Sequence, residues 1–151
     1  MLLDIVYPTI AMALLVFVIT IVLAVVRGRH MKANPPKPED FADGASALRY
    51  FAPVEMAANN HRNLFEMPVL FFALVPLLMI TGLDTKTQVW LAWAFVLLRA
   101  AHSYVHIGPK NVQRRAQLFM ISSIVLMVMW IGFGIDMVTS MAALTTATDA
   151  I

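Results

Sequence analysis

The chain has 151 residues, of which 60% are hydrophobic and 13% are charged, and its formal net charge is +2. With a mean hydropathy of +0.77, this composition excludes an ordinary soluble domain and indicates an integral membrane protein. The sequence contains no cysteine, which excludes disulfides and protein thiolates, so a sulfur nucleophile would have to come from a bound ligand. The cationic residues gather at one membrane face, and no nucleic-acid partner is expected.

Four apolar segments, each long enough to cross a bilayer of about 30 Å as a helix, predict an all-α bundle of four transmembrane helices in a single domain, 1–151. The segments are Ile5 to Val26, Leu64 to Leu83, Val89 to Ile107 and Leu118 to Val138. With their polar flanks, the predicted helices cover residues 5–27, 53–82, 87–107 and 113–139. Basic residues follow the first segment instead of preceding it, which predicts a retained helix and not a cleaved signal peptide.

The distribution of lysine and arginine predicts the orientation. The first and third connections are rich in cations, whereas the second carries Lys86 alone. The cations are Arg27, Arg29, Lys32, Lys37 and Arg49 in the first connection, and Lys110, Arg114 and Arg115 in the third. By the positive-inside rule these two connections are cytoplasmic, and both termini face outside.

Prolines predict where the helices are interrupted. In the first connection, Pro35, Pro36 and Pro38 favour extended chain, so a long loop is expected there. Pro68 and Pro76 each remove a hydrogen bond from the second helix, so we expect bends in it.

Polar residues share one face of the second helix and one face of the third. On the second helix they stand at i, i+4, i+7, i+8 and i+11, and are Glu55, Asn59, Arg62, Asn63 and Glu66. On the third helix, Arg99, His102 and His106 stand at i, i+3 and i+7. An arginine within an apolar segment needs a partner.

Depth along the helices suggests the partner of Arg99. Arg99 lies eight residues before Ile107, roughly 12 Å from the cytoplasmic end of its helix, and Glu66 lies at a similar depth. The sequence therefore predicts a Glu66–Arg99 ion pair. An ion pair that only fixes helix packing would explain Glu66 and Arg99 considered by themselves. The additional cationic side chains expected around them favour an anionic ligand.

The two histidines raise the question of a metal. His102 and His106 have the i, i+4 spacing of a helical metal pair, and Glu66 could supply a third ligand. No HExxH or comparable pattern accompanies them, so no metal is expected.

Two motifs carry a resemblance to a known family. The first is HRNLFEMP, residues 61–68, in which Asn and, three residues later, Glu precede a proline. The second is RAAHSYVH, residues 99–106, followed nine residues later by Arg115. Over nearly its whole length the sequence resembles the MAPEG family, the membrane-associated proteins in eicosanoid and glutathione metabolism, and it is most similar to bacterial members. The basic end of the first helix and the loop after it, VRGRHMKANPPKPED, residues 26–40, are similar to the same region of the prostaglandin-forming members of this family.

The resemblance implies a homotrimer in a bacterial inner membrane, with glutathione as co-substrate between subunits at the cytoplasmic side. It also implies a glutathione transferase or peroxidase activity on lipophilic molecules dissolved among the membrane lipids. Arg115 would sit beside the sulfur as the catalytic residue. Glu66 would face the ammonium of glutathione or the Arg99 guanidinium. The implied glutathione contacts are Arg27, Arg62, Asn63, Glu66, His102 and His106.

Departures from the family pattern keep two alternatives open. His106 and Phe119 stand where many members carry Tyr, and Asn59 stands where some carry Arg. A catalytically silent member that binds a lipid or a partner protein is therefore one alternative. The other is a small transporter or channel subunit. The polar residues stop about halfway along the helices, which favours a site open on one side over a path across the membrane.

Overall fold

The computed structural model describes residues 4–108 and 111–149. These residues form helices and turns with no strand among them, which confirms the predicted all-α class. The α-helices are α1 Val6–Ala33, α2 Gly44–Phe51, α3 Glu55–Asn63, α4 Met67–Thr81, α5 Lys86–Ile107 and α6 Val112–Asp149. Two 3₁₀ helices, Pro38–Phe41 and Ala52–Val54, lie on either side of α2.

Within the described residues, three helical stretches are long and apolar enough to cross a membrane: Val6–Ala33, Gly44–Thr81 and Val112–Ala143. The protein is therefore an integral membrane protein. The fourth predicted span corresponds to α5, which has 22 residues. Its length is sufficient, but its polar face lowers its average hydropathy.

The first connection is more ordered than the expected loop. α1 continues past residue 27 to Ala33, and only residues 34–37 lie outside a helix before the first 3₁₀ helix. Asp43 then caps α2, because its Oδ1 accepts a hydrogen bond of 2.6 Å from the Ser46 amide. Tyr50 donates its hydroxyl hydrogen to the Asn34 carbonyl, which ties α2 to the end of α1.

The predicted second helix, 53–82, is divided between α3 and α4. The two helices are separated by a turn at residues 64–66, and Pro68 is the second residue of α4. A proline at position 68 cannot donate to the Leu64 carbonyl, and its ring would clash with that carbonyl in a continuous helix. Pro76 has a smaller effect, since α4 continues past it to Thr81.

The core lies between α4, α5 and α6, with α1 packed against it. The rings of Phe71 and Phe95 stack with their centroids 5.1 Å apart. Gly82, with φ of 69°, ends α4 in the left-handed conformation that glycine adopts readily. Thr85 then caps α5. The fully buried apolar side chains include Met12, Phe71, Leu74, Leu78, Ala92, Phe95 and Met129.

Candidate functional site

Arg99 is the largest fully buried side chain among the described residues. Its Nη2 donates a hydrogen bond to the backbone carbonyl of Asn63, the last residue of α3. The last carbonyls of a helix lack partners within it, so Arg99 caps α3 from the side. Its guanidinium carbon also lies 5.3 Å from the centre of the Phe119 ring on α6. Arg99 therefore links α3, α5 and α6.

Glu66 lies in the turn that follows α3 and is exposed. Its carboxylate is close enough to act on Arg99 electrostatically. Over the described part of the chain, however, the two side chains form no direct salt bridge, and the Arg99 guanidinium donates instead to the Asn63 carbonyl. The Glu66–Arg99 pair stays a prediction. The structure does show that Arg99 holds the turn that carries Glu66.

Arg115 is half-buried on the first turn of α6 and is held at two points. Its Nη1 donates to Nε2 of His106 over 3.0 Å, and its backbone carbonyl accepts from Nδ1 of His102, also over 3.0 Å. A guanidinium has only donors, so Nε2 of His106 carries no hydrogen in this contact and the ring is neutral. A carbonyl only accepts, so Nδ1 of His102 carries its hydrogen.

Both histidines are buried, each with 1% of its surface exposed. Their rings are nearly perpendicular, with centroids 5.6 Å apart, and His102 also lies 5.9 Å from the Phe119 ring. We refer to Arg99, His102, His106, Arg115 and Phe119 as the α5–α6 cluster. The helical spacing of the first three residues is what places them on the face of α5 that meets α6.

The remaining predicted residues lie around this cluster. Asn63 is half-buried, Arg62 is exposed on α3, and Arg27 lies near the carboxyl end of α1. The Arg27 guanidinium carbon sits 4.6 Å from the centre of the Phe51 ring, a cation–π contact. Across the described ranges, no hydrogen bond joins Arg27 or Arg62 to the α5–α6 cluster.

Several buried nitrogen atoms lack an acceptor. In the part of the chain that the structure describes, Nε of Arg27 and both Nε and Nη1 of Arg99 have no hydrogen-bond partner. Buried cationic donors are normally satisfied. Among the same described residues, Oδ1 of buried Asn60 and Nε2 of His102 also have no partner, so both donors and acceptors are unsatisfied at this end of the bundle.

Sequence reasoning missed one part of this region, the aromatic platform under Arg27. Phe51 lies 4.9 Å from the Tyr50 ring and 6.0 Å from the Phe41 ring, measured between centroids. The available signal was three aromatic residues, Phe41, Tyr50 and Phe51, within the connection that follows the first apolar segment. Aromatic residues there are well suited to pack against the basic end of α1.

The fold and this region define a helical integral membrane protein with a cationic, histidine-containing site at one end of its bundle. The family model for the MAPEG family matches residues 5–135. The chain belongs to the MAPEG family, which confirms the resemblance seen in its motifs. Neither a curated protein nor a solved structure gives a significant match to the chain.

Proposed function

We propose that the protein is a membrane-bound, glutathione-dependent transferase or peroxidase that acts on lipophilic electrophiles. Membership of the MAPEG family supports a glutathione-related function. The observation that carries the proposal is the Arg115 guanidinium, half-buried and oriented by His106, with the Arg115 backbone held by His102. A cation fixed in this way is suited to stabilise an anion that forms beside it.

The anion would be the thiolate of glutathione. A free thiol has a pKa of about 8.5, so only about 3% is ionised at pH 7. A guanidinium beside the sulfur in a partly desolvated site lowers the thiol pKa and increases the thiolate fraction. The thiol proton passes to solvent. In the transferase reaction, the sulfur then forms a bond to an electrophilic carbon and the leaving group departs with its electron pair.

Glutathione offers two carboxylates, two peptide carbonyls and an ammonium. Exposed Arg62 and half-buried Arg27 and Asn63 are suited to the carboxylates and carbonyls, and exposed Glu66 to the ammonium. The unsatisfied Nε of half-buried Arg27 is compatible with the same oxygen-rich ligand. No metal is part of this proposal.

His102 and His106 have a different position in the proposal. Both are buried and already contact Arg115. We therefore assign them to the positioning of Arg115, and their direct contact with glutathione stays a prediction. Arg99 acts in a similar way on the turn that presents Asn63 and Glu66.

For the assembly, we infer four membrane spans, with α5 as the third. Exposed Trp90, Leu97 and Tyr104 follow one another at intervals of seven on its outer face, while Arg99 and the histidines are buried. Such a helix is compatible with lipid outside and a polar site inside. Both termini would face outside and the site would face the cytoplasm of a bacterial inner membrane, with the trimer implied by the family. Reporter fusions after residues 40 and 143 test this topology, and a cytoplasmic carboxyl terminus would contradict it.

The catalytic proposal is tested by thiolate absorbance in the ultraviolet near pH 7. Adding glutathione to the wild type should produce the signal, and Arg115→Ala should lose most of it while retaining glutathione binding. One unit of thiol pKa corresponds to about 1.4 kcal/mol, so a two-unit rise leaves the thiol mostly protonated and slows conjugation on the order of tenfold or more.

Arg114→Ala is the matched control, because Arg114 is the exposed neighbour of Arg115 and points about 100° away on the helix. Its thiolate signal should equal that of the wild type. A normal signal in Arg115→Ala with an impaired Arg114→Ala would contradict the assignment of Arg115.

A catalytically silent binding protein is the second candidate. Phe119 favours it, because a ring without a hydroxyl occupies the position between Arg99 and His102. Glutathione binding without any thiolate signal in the wild type would support this candidate. A channel is less compatible with the structure, since the amino-terminal half of α5 buries Ala92, Phe95 and Val96 in the apolar core.

A further inference from the structure

A polar recess lies between α5 and α6, at the end of the bundle opposite the α5–α6 cluster. It has a volume of about 340 Å³ and is lined by Gln88 in the first turn of α5 and by Asp136 on α6. Gln88 and His106 lie roughly 27 Å apart along α5, at 1.5 Å per residue, so the recess is separate from the proposed glutathione site. We propose that it binds a protonated primary amine that carries an aliphatic group.

Gln88 presents a buried acceptor without a donor. Only 3% of its surface is exposed. Its Nε2 donates a hydrogen bond of 3.1 Å to the Met129 carbonyl on α6, which fixes the orientation of the amide. Among the described residues, its Oε1 has no hydrogen-bond partner. A buried oxygen of this kind costs free energy unless a donor reaches it, so the recess favours a ligand with an N–H or O–H group.

Gly132 allows Gln88 to reach across to α6. A Cβ atom at residue 132 would lie 3.2 Å from Nε2 of Gln88, which is closer than an ordinary contact. Because glycine leaves that space open, the Gln88 amide can lie against the α6 backbone. The position of the buried acceptor is therefore set by the packing of the two helices.

Asp136 supplies a negative charge to the same recess. It is half-buried within an otherwise apolar stretch of α6, residues 130–138. Across the described ranges its carboxylate forms no ion pair or hydrogen bond, and Thr139 contacts only its backbone carbonyl. Lys86 lines a different recess, between α1 and α5. An unpaired carboxylate at the membrane is costly, so a cationic ligand would supply the missing counter-charge.

The lining of the recess selects an ammonium group over an anion or a metal ion. Asp136 repels an anion, whereas an ammonium brings both the charge and the N–H donors that the Asp136 and Gln88 oxygens require. A calcium-like ion needs about six to eight oxygens at about 2.3–2.6 Å, but Leu91 and Val128 form part of the wall and supply none. These two apolar side chains fit the carbon chain of an amine.

The experiment uses the full-length protein in nanodiscs of phosphatidylcholine, a lipid without a primary amine. Calorimetric titration, corrected for partition into empty nanodiscs, measures the binding of hexylammonium and two matched compounds. Hexyltrimethylammonium keeps the charge but has no N–H donor, and hexanol keeps a donor but has no charge. We expect hexylammonium to bind saturably and about tenfold more tightly than either compound, since each of them loses a hydrogen bond between charged groups.

Two variants test the lining residues. Asp136→Asn and Gln88→Met should each weaken hexylammonium binding about tenfold. Asp4→Asn is the matched control, because Asp4 is an acidic residue at the same end of the bundle that lines the other recess. Its binding of hexylammonium should equal that of the wild type. Glutathione binding should be unchanged in all three variants, so failure here is distinguishable from failure of the proposed function.

Three results would overturn the proposal. The first is equal affinity of the wild type for the three compounds, and the second is an equal loss of hexylammonium binding in Asp4→Asn and Asp136→Asn. The third is the absence of saturable binding to the wild type together with a lower melting temperature of Asp136→Asn. That result would show that Asp136 only complements the positive amino-terminal end of α5.

Phosphatidylethanolamine also carries a primary ammonium, but its phosphate would lie beside the Asp136 carboxylate. We therefore expect a free amine as the occupant, and adding phosphatidylethanolamine to the nanodiscs should leave hexylammonium binding unchanged. Competition by this lipid would overturn the assignment to a free amine and identify a lipid headgroup as the occupant.

Discussion

The two halves of α5 bury side chains to a similar extent but with different chemistry. The amino-terminal half buries Ala92 and Phe95 in the apolar core, where Phe95 stacks on Phe71 of α4. The carboxyl-terminal half buries Arg99 and His106, whose polar atoms contact the Asn63 carbonyl and the Arg115 guanidinium. Within one helix, burial therefore stabilises packing at one end and orients cations at the other.

The physical basis of the difference is what each kind of group requires. Apolar side chains need a complementary shape, because packing density and dispersion contacts determine their contribution. Buried polar groups need specific partners, because an unsatisfied donor costs free energy. Substitutions in the first half should therefore act mainly on the free energy of unfolding. Substitutions in the second half should act mainly on ligand binding.

The largest effect on stability is expected for Phe95→Ala. It removes a fully buried ring and its stacking with Phe71, which should lower the free energy of unfolding by roughly 3 kcal/mol. Thermal unfolding in detergent measures the change. Leu97→Ala, two residues away and 64% exposed, is the control and should have a small effect. If the two variants unfold alike, the amino-terminal half of α5 is not the packing element that the structure indicates.

A smaller effect on stability, with a larger effect on binding, is expected for Arg99→Met. The substitution removes the bond to the Asn63 carbonyl, but it also removes a buried charge that is incompletely paired within the described residues. Glutathione affinity should fall on the order of tenfold, because the turn with Asn63 and Glu66 is no longer held. Calorimetric titration measures the affinity. A loss of stability as large as that of Phe95→Ala would contradict the distinction between the two halves.

The predicted Glu66–Arg99 interaction is tested by adding Glu66→Gln to Arg99→Met. If Glu66 and Arg99 attract each other as predicted, the double variant should deviate from additivity in the free energy of unfolding by about 1 kcal/mol. Glu55→Gln, on α3 and exposed, is the control and should be additive with Arg99→Met. Strict additivity for both glutamates would show that Glu66 and Arg99 are not coupled.

The smallest effect on stability is expected at Asp43, which lies outside both halves of α5 and caps α2. Hydrogen bonds from the backbone and side chain of Ser46 hold the pKa of the Asp43 carboxyl below its ordinary value. Because the carboxyl has a lower pKa in the folded state than in the unfolded state, its ionisation stabilises α2, and this contribution is fully present at pH values above the unfolded-state pKa. The contribution is lost as the pH falls through the lower, folded-state pKa. Amide hydrogen exchange of residues 44–47, corrected for intrinsic rates, should therefore show less protection in acid.

Asp43→Asn provides the comparison, because the amide oxygen can still cap α2 but does not titrate. In Asp43→Asn, the hydrogen-exchange protection of residues 44–47 should not change with pH, because residue 43 no longer titrates. In Asp43→Ala, these residues should be less protected at all pH values. Glutathione binding and the stability of the bundle should be unaffected in both. A change in either would show that the first connection is coupled to one of the two halves of α5.

The sequence by itself determined the class of the protein and the faces of its helices. Composition and segment length were sufficient to predict a helical membrane protein, because a helix that spans a bilayer needs a continuous apolar segment. The spacing of Arg99, His102 and His106 was sufficient to place them on one face, because helical periodicity is a local property. The two motifs around Glu66 and Arg115 were sufficient to indicate the family.

Only the tertiary structure decided which partners these side chains meet. Arg99 bonds to a backbone carbonyl 36 residues away, and that carbonyl is available because α3 ends before Pro68. The placement of Arg115 against His106, and of Arg27 on Phe51, likewise depends on how separate helices pack and which rotamers fit between them. The recess at Gln88 and Asp136 exists because the first turn of α5 packs against α6. Sequence spacing cannot supply such contacts, because they depend on the relative position of elements that are distant along the chain.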